Sequence, residues 1–76
     1  MIRVKLYGLL RIDSGIKEQQ IDAATVKEVL EDLERCGIPA KKLEAAVILV
    51  NGAPANKRTK LTDGDTVIFM SPVAGG

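Results

Sequence analysis

The two residues at the end of the chain, Gly75 and Gly76, are those whose type and position point most directly to chemistry. Because glycine has no Cβ, this pair can lie against another protein's backbone in a channel too narrow for any side chain. The only reactive group that a terminal glycine offers is its α-carboxylate, which is ionised at neutral pH. A carboxylate is a poor acyl donor, so it must first be activated, and an acyl-adenylate made by a partner that uses ATP is the expected form. A frayed terminus is the competing interpretation.

The segment before the glycines has the pattern of a strand that leads into a tail. Asp63-Gly64-Asp65 is a turn signal, and residues 66–70 form an apolar run typical of a strand. Pro72 removes a backbone donor and fixes φ, so the chain is expected to leave the sheet there. The sequence therefore predicts a folded domain over residues 1–70 and a flexible tail over residues 71–76.

The composition excludes several kinds of function. A chain of 76 residues allows one domain with one small core. There is no histidine and Cys36 is the only cysteine, so neither Ser-His or Cys-His catalysis nor a usual zinc site can be built. A net charge of +1, with one tyrosine and one phenylalanine as the only aromatic residues, argues against a nucleic-acid partner. We therefore expect no independent catalytic site, no metal and no nucleic-acid binding.

The sequence contains no pattern of a signal peptide or a membrane span. Met1 leads straight into an alternating pattern rather than a long apolar core, and no apolar run approaches the length of a span. The prediction is a cytoplasmic domain without a membrane partner.

The first part of the chain predicts an antiparallel hairpin. Residues 2–7 alternate between apolar side chains and mostly basic ones, which indicates a half-buried strand. Gly8 breaks this pattern, and residues 8–15 are expected to form an irregular connection. The polar segment 16–21 suits a weaker strand at an exposed edge of the sheet.

A helix is predicted over residues 26–36. Thr25 and Glu28 have the spacing of a capping box, in which each satisfies a free N–H group at the start of a helix. Gly37 and Pro39 indicate where the helix stops. Apolar residues at helical spacing form one stripe that another layer must cover: Val26, Val29, Leu30 and Leu33.

The second half of the chain completes the sheet. Residues 40–44 form a polar connection with room for one helical turn, and the continuous apolar run 46–50 predicts a strand. Asn51-Gly52 is the strongest short signal for a hairpin turn, and residues 53–61 are expected to be irregular. The resulting order predicts an α+β fold, in which a mixed sheet of four to five strands packs on one helix.

One side of this sheet is expected to carry an exposed apolar patch. Strands 46–50 and 66–70 are apolar at positions that face both sides, whereas a single helix covers only one. We expect the patch to include Tyr7, Ile68 and Met70 and to dock a protein partner. The alternative is that the two irregular connections fold over this side and cover it.

With these elements in place, the whole chain resembles the ubiquitin-like sulfur carriers of the β-grasp fold, and in particular the small subunits of molybdopterin synthase. The resemblance rests on L-T-D-G-D-x-V-x-F at 61–69 and P-V-A-G-G at 72–76, together with Leu10-Arg11 after the first strand and Asn51 after the third. Ser71 stands where such proteins commonly have a proline, and it is expected to loosen the tail slightly.

The resemblance implies a mechanism in which the chain is a protein co-substrate. An adenylating enzyme related to the ubiquitin-activating enzymes would adenylate Gly76, and a sulfur donor would displace AMP to leave a thiocarboxylate. The large subunit of molybdopterin synthase would then take the tail into its active site and pass the sulfur to a pterin precursor. The chain itself would bind no cofactor, since ATP is used by the activating partner.

The roles of individual residues follow by position. Gly76 reacts, while Tyr7 and Met70 match positions of an apolar docking surface. The residues before Gly76 thread the partner's channel or set the exit of the tail: Pro72, Val73, Ala74 and Gly75. Three alternatives stay open at this point. They are a carrier for the thiazole of thiamine or for tRNA thiolation, a modifier joined to lysines of other proteins, and a β-grasp binding module whose tail has no chemistry.

Overall fold

Strands and short helices occupy most of residues 1–71, the part of the chain that the computed structural model describes. In chain order the elements are β1 (Ile2–Tyr7), α1 (Leu9–Ser14), β2 (Glu18–Ile21), α2 (Val26–Arg35), α3 (Ala40–Glu44), β3 (Val47–Val50), β4 (Ala53–Pro54) and β5 (Thr66–Met70). The predictions for residues 72–76 fall outside the described residues.

The strands of this region join one mixed sheet in the order β2-β1-β5-β3-β4. β1 and β5 are parallel neighbours, with Val4 opposite Val67 and Leu6 opposite Phe69. The β1–β2, β3–β5 and β3–β4 pairs are antiparallel. The predicted α+β architecture, a mixed sheet packed on a helix, is confirmed.

α2 covers one side of the sheet with the predicted stripe. Val29 and Leu33 of the helix are completely buried, as are Val67 and Phe69 of β5, and all four belong to one hydrophobic core. Each large apolar side chain buried in this way stabilises the fold by about 1.5–3 kcal/mol relative to an exposed one. The core therefore fixes β5, the strand that leads to the tail.

The ends of α2 follow the sequence signals closely. The Thr25 hydroxyl accepts a hydrogen bond from the Glu28 N–H at 3.3 Å, and the Glu28 carboxylate accepts one from the Ala24 N–H at 2.6 Å. Gly37 has φ 103°, which a glycine adopts without strain, so the chain turns away at that point. The helix ends at Arg35, one residue before the predicted end.

The irregular connection predicted for residues 8–15 is wrong, because α1 occupies most of it. Leu10 is only 1% exposed and joins the core, so burial stabilises a helix too short for a periodic pattern. At the other end the Ser14 hydroxyl donates to the Leu10 carbonyl at 2.6 Å and accepts from the Ile16 N–H at 3.0 Å. Packing against the core and side-chain hydrogen bonds determine whether such a helix forms, and a local sequence pattern shows neither of them.

The hairpin predicted at Asn51-Gly52 is confirmed. Both residues have positive φ, 51° and 85°, which suits a two-residue turn that matches the twist of the strands. The strand that follows, Ala53–Pro54, was expected to be irregular, but its two residues pair with β3. Pro54 is tolerated because β4 lies at the edge of the sheet, where a missing N–H group breaks no ladder.

Two other strands are shorter than predicted. β2 begins at Glu18 rather than at Ile16, whose side chain is partly buried against the core. β3 begins at Val47 rather than at Ala46. The segment predicted to have room for one helical turn is α3, and its Leu43 is buried in the core.

Candidate functional site

The side of the sheet turned away from α2, which we call the open face, carries the predicted apolar residues. Residues that pair across neighbouring strands project to the same side, so the register defines rows on this face. One row consists of Tyr7, Met70 and Val47, and the next includes Ile68 and Leu49. We call these five residues the apolar patch.

Solvent reaches the apolar patch. Tyr7 is 37% exposed, Met70 40% and Val47 48%, while Ile68 and Leu49 are half-buried. Val47 and Leu49 were not named from the sequence, because an unbroken apolar run does not show which residues face which side. The Asn51-Gly52 turn is the signal that could have identified them, because the hairpin geometry determines which residues of β3 face each side of the sheet.

The alternative expectation, that both connections fold over the open face, is wrong. The first connection forms α1, which directs Leu10 into the core. The second lies beside the start of α2, where the Leu61 N–H bonds to the Ala24 carbonyl at 2.8 Å and the Val26 N–H bonds to the Thr59 carbonyl at 3.0 Å. Both connections therefore pack with the core and with α2.

Charged residues occupy the other half of the open face. Lys5 lies opposite Ile68 on one side and opposite Glu18 on the other. Arg3, one row further, places its Nε 3.5 Å from a Glu18 carboxylate oxygen. An exposed pair of this kind contributes little to stability, roughly 0–1 kcal/mol. The open face thus has an apolar half beside the end of β5 and a charged half toward its beginning.

The root of the tail is Ser71, directly after β5. Its hydroxyl oxygen accepts hydrogen bonds from two backbone N–H groups at the start of α1, that of Leu9 at 2.7 Å and that of Leu10 at 3.3 Å. Gly8 approaches so closely that a Cβ there would lie 2.7 Å from the Ser71 hydroxyl oxygen. Ser71 itself is therefore held, while the expectation that it loosens the tail concerns residues outside the described part of the chain.

An exposed apolar side chain, Leu9, also flanks the tail root on the α1 side. Leu9 is 49% exposed, and Ile12 of the same helix is 74% exposed. A small cleft of about 220 Å³ lies beside Leu9, and its lining consists of Leu9, Leu10, Asp13, Lys42, Ala45 and Ser71. Lys42 and Asp13 form an ion pair within this lining.

The other end of β5 is fastened by a polar network. The Asn51 amide nitrogen donates to the Asp65 carboxylate at 3.0 Å, and the Asn51 amide oxygen accepts from the Thr66 N–H at 3.0 Å. The second Asp65 carboxylate oxygen accepts from the Thr62 N–H at 2.8 Å. These donors, the Thr62 N–H first and the Asn51 amide second, lower the pKa of Asp65 below its ordinary value of 3.8. Asn51 and the Asp-Gly-Asp turn are therefore structural elements.

The described residues offer no obvious place for a metal. Within residues 1–71 no three His, Cys, Asp or Glu side chains converge in the way a metal ion requires. Cys36 is free and exposed at the end of α2, with the Gln19 side-chain nitrogen 3.6 Å from its sulfur. The helices of this part of the chain all lack the length and hydropathy needed to cross a membrane.

Solved structures of other proteins share this fold over nearly their whole length. The match to the molybdopterin-converting factor complex of subunits 1 and 2 from Helicobacter pylori has a TM-score of 0.76 and 26% identity, covering 99% of this chain and 97% of that one. The CysO complex with BexX from Amycolatopsis orientalis matches with a TM-score of 0.77 and 27% identity, covering 100% of both chains.

A third structural match comes from an archaeon. SAMP1 from Haloferax volcanii matches with a TM-score of 0.82 and 25% identity, covering 99% of this chain and 98% of that one. A second structure from that organism bears the name small archaeal modifier protein 1. No curated protein matches the chain in sequence.

A protein-family model matches both the folded part of the chain and the residues that follow it. The model of the ThiS family matches residues 4–76, a range that begins in β1 and includes the glycines at the end of the chain. The matched structures are ubiquitin-like β-grasp proteins, and their sheet and helix arrangement is the one described above. The chain therefore belongs to the ThiS family of ubiquitin-like sulfur carriers.

Proposed function

We propose that this sulfur carrier works through the carboxylate of Gly76, which is adenylated and then converted to a thiocarboxylate, and that it donates the sulfur in molybdopterin synthesis. The observation that supports the tail chemistry is the family match, which runs through Gly75 and Gly76. The pathway is supported by the likeness over nearly the whole chain to a protein of the molybdopterin-converting factor complex. The partner is then the large subunit of molybdopterin synthase.

The proposed reaction needs no acid or base from the chain itself. A Gly76 carboxylate oxygen attacks the α-phosphorus of ATP, pyrophosphate leaves, and an acyl-adenylate forms on the adenylating partner. Sulfide then attacks the carbonyl carbon, AMP leaves with the bonding electron pair, and a thiocarboxylate remains. No oxidant or reductant is consumed when sulfide is the donor.

The apolar patch is the proposed docking surface for these partners. Exposed apolar side chains that lie together on a small domain are typical of protein-binding surfaces, and this patch includes Tyr7 and Met70 at the end of the sheet next to Ser71. The five residues from Pro72 to Gly76 span at most about 18 Å when fully extended. A partner docked on the patch must therefore hold its reacting group within that distance of Ser71.

The proposal predicts a specific change in mass. The chain is incubated with the adenylating enzyme of its own host, MgATP and sodium sulfide, and its intact mass is measured. A gain equal to the difference between sulfur and oxygen is expected for the unaltered chain. Deletion of Gly76 should abolish this gain and leave the thermal unfolding temperature unchanged, since the core lies entirely in other residues.

A second variant distinguishes the need for a terminal carboxylate from the need for a residue without a side chain. Gly76→Ala keeps a terminal carboxylate but adds a Cβ, so a strong loss of thiolation in this variant indicates a channel that admits only glycine. Normal thiolation after deletion of Gly76 would contradict the tail mechanism. Incubation of the thiolated chain with the large synthase subunit and the pterin precursor then tests the acceptor, and sulfur retained on the chain would contradict the molybdopterin assignment.

A protein modifier is the second candidate. It is supported by the full-length likeness to SAMP1 and by the name modifier given to that protein. In this case the activated Gly76 forms an isopeptide bond with a lysine of another protein. The same mass measurement distinguishes the two, because conjugates appear at much higher mass when lysine-bearing proteins of the host are added.

A further inference from the structure

We propose that Ser71 is a positioning residue for activation of the tail, with its hydroxyl acting as a latch between the tail root and α1. This inference rests on the proposed function, since it names a residue that places Gly76 for its partner. Two hydrogen bonds to backbone N–H groups of Leu9 and Leu10 make the latch. Neither hydrogen bond is part of the sheet. Both hold Ser71, the residue that follows the last paired residue of β5.

The latch connects the tail root to the core through α1. Met70, the last residue of β5, still pairs with Tyr7 and Val47 in the sheet. Ser71 lies beyond this pairing, and its hydroxyl bonds to Leu10, whose side chain is buried in the core. The position of Ser71 is therefore set by the core rather than by the end of a strand, which commonly frays.

Gly8 is what permits this close approach. It has φ 67° and ψ −142°, a conformation that residues other than glycine rarely adopt. A Cβ at this position would also lie 3.2 Å from the Ser71 carbonyl oxygen. The glycine that interrupts the alternation after β1 thus makes room for the serine that begins the tail.

The latch matters because the tail is short. A tail anchored at Ser71 delivers Gly76 from a fixed point, whereas a tail released from α1 is anchored only at Met70 and starts from many positions. A reacting group that is misplaced by about 1 Å can lose much of its rate. Docking through the apolar patch should be unaffected, because the patch does not depend on the latch.

The test compares adenylation kinetics of matched variants, measured as pyrophosphate release with the host's adenylating enzyme. Ser71→Ala should lower kcat by about three- to tenfold with KM for the carrier unchanged within about twofold, as expected for loss of a hydrogen bond that positions the reacting group. Ser71→Thr, which keeps the hydroxyl, should restore most of the rate. In hydrogen exchange measured by NMR, the Leu9 and Leu10 amides should lose protection in Ser71→Ala and keep it in Ser71→Thr.

Ser14→Ala is the control. The Ser14 hydroxyl also makes two hydrogen bonds, to the Leu10 carbonyl and the Ile16 N–H, but it lies at the end of α1 that is away from Ser71. It should leave kcat unchanged even if it lowers stability. An unchanged kcat in Ser71→Ala, or unchanged exchange at Leu9 and Leu10, would overturn the latch while leaving the proposed function in place. Failure of the unaltered chain to be adenylated at all would contradict the proposed function, and the positioning role would fall with it.

A second variant tests the latch without removing the hydroxyl. Gly8→Ala should displace Ser71 and lower kcat at least as much as Ser71→Ala does. Gly15→Ala serves as its control, because Gly15 also has positive φ, 73°, but a Cβ there meets nothing within 4 Å. An equal loss of kcat in both glycine variants would indicate backbone strain rather than the latch, and would overturn the proposal.

Discussion

The two ends of β5 differ in what their side chains do. At the beginning of the strand, Asp65 and Thr66 are bonded to Asn51 and Thr62 by hydrogen bonds of 2.8–3.0 Å. At the other end Met70 is 40% exposed and Ser71 alone makes side-chain hydrogen bonds to another element. One end satisfies its polar groups internally, whereas the other leaves apolar surface in water.

This difference separates stability from binding within a single strand. Polar side chains that bond to each other fix a turn and add little for a partner to contact. Exposed apolar side chains that lie together on a surface are typical of places that a partner protein covers. Mutations at the two ends should therefore have different consequences, and three experiments test this separation.

The largest effect is expected from a charge placed in the apolar patch. Met70→Asp should raise KM for the carrier in adenylation by about tenfold or more, because a buried apolar contact worth about 1.5–3 kcal/mol is replaced by a carboxylate that must be desolvated. The value of kcat and the unfolding temperature should change little. The measurement is steady-state pyrophosphate release at varied carrier concentration.

Thr66→Asp is the matched control for this prediction. Thr66 lies on the same strand and the same face but at the opposite end, beside Arg3 in the register. It should leave KM within about twofold of the unaltered value, since a single surface charge far from a contact has a small effect. Equal increases of KM in the two variants would show that docking does not discriminate between the two halves of the open face.

An intermediate effect is expected at the polar end. Asn51→Ala removes two side-chain hydrogen bonds and places alanine at φ 51°, so it should lower the free energy of unfolding by about 1–2 kcal/mol in urea titrations. Asn51→Gly keeps the turn but loses the same bonds, so it should cost less. Both variants should be adenylated with normal kcat and KM. A loss of kcat parallel to stability would mean that the two ends are coupled.

The smallest effect is a pH dependence centred on Asp65. Its pKa is lower in the folded protein because the Thr62 N–H and the Asn51 amide stabilise the carboxylate. The resulting stability is therefore present above the ordinary pKa of 3.8 and is lost as pH falls through the lower folded value. Asp65→Asn should flatten the fall of the unfolding temperature between about pH 5 and pH 2, most clearly at low salt, because exposed charges are screened.

The comparison for this experiment is the unaltered chain at the same salt concentration. The Asp65→Asn profile should diverge from it only on the acid side. A fall of identical steepness in the two proteins would contradict the assigned role of Asp65.

The parts of this structure that could be predicted from the sequence are those fixed by local patterns. β1 alternates with period two, α2 has its capping residues at the correct spacing, and Asn51-Gly52 permits only a few turn geometries. The five-stranded mixed sheet then follows from the order of elements and the two-layer packing that a helix stripe requires.

What could not be predicted depends on residues distant in the chain. α1 begins with N–H groups that bond to Ser71, which is 62 positions from Leu9, so nothing near α1 reveals that partner. The same contact holds Ser71, which nothing in its neighbouring sequence indicates. Val47 and Leu49 join the apolar patch because of strand register, which an unbroken apolar run leaves unspecified.

The parallel pairing of β1 with β5 also has a consequence for folding of the domain. β1 lies between β2, which is close to it in sequence, and β5, which is the last of the described strands. Long-range pairing of this kind makes folding slower than it is in proteins with local contacts. The strand that completes the core is also the one that leads into Ser71. The point from which the tail starts is therefore set only when the whole sheet has closed.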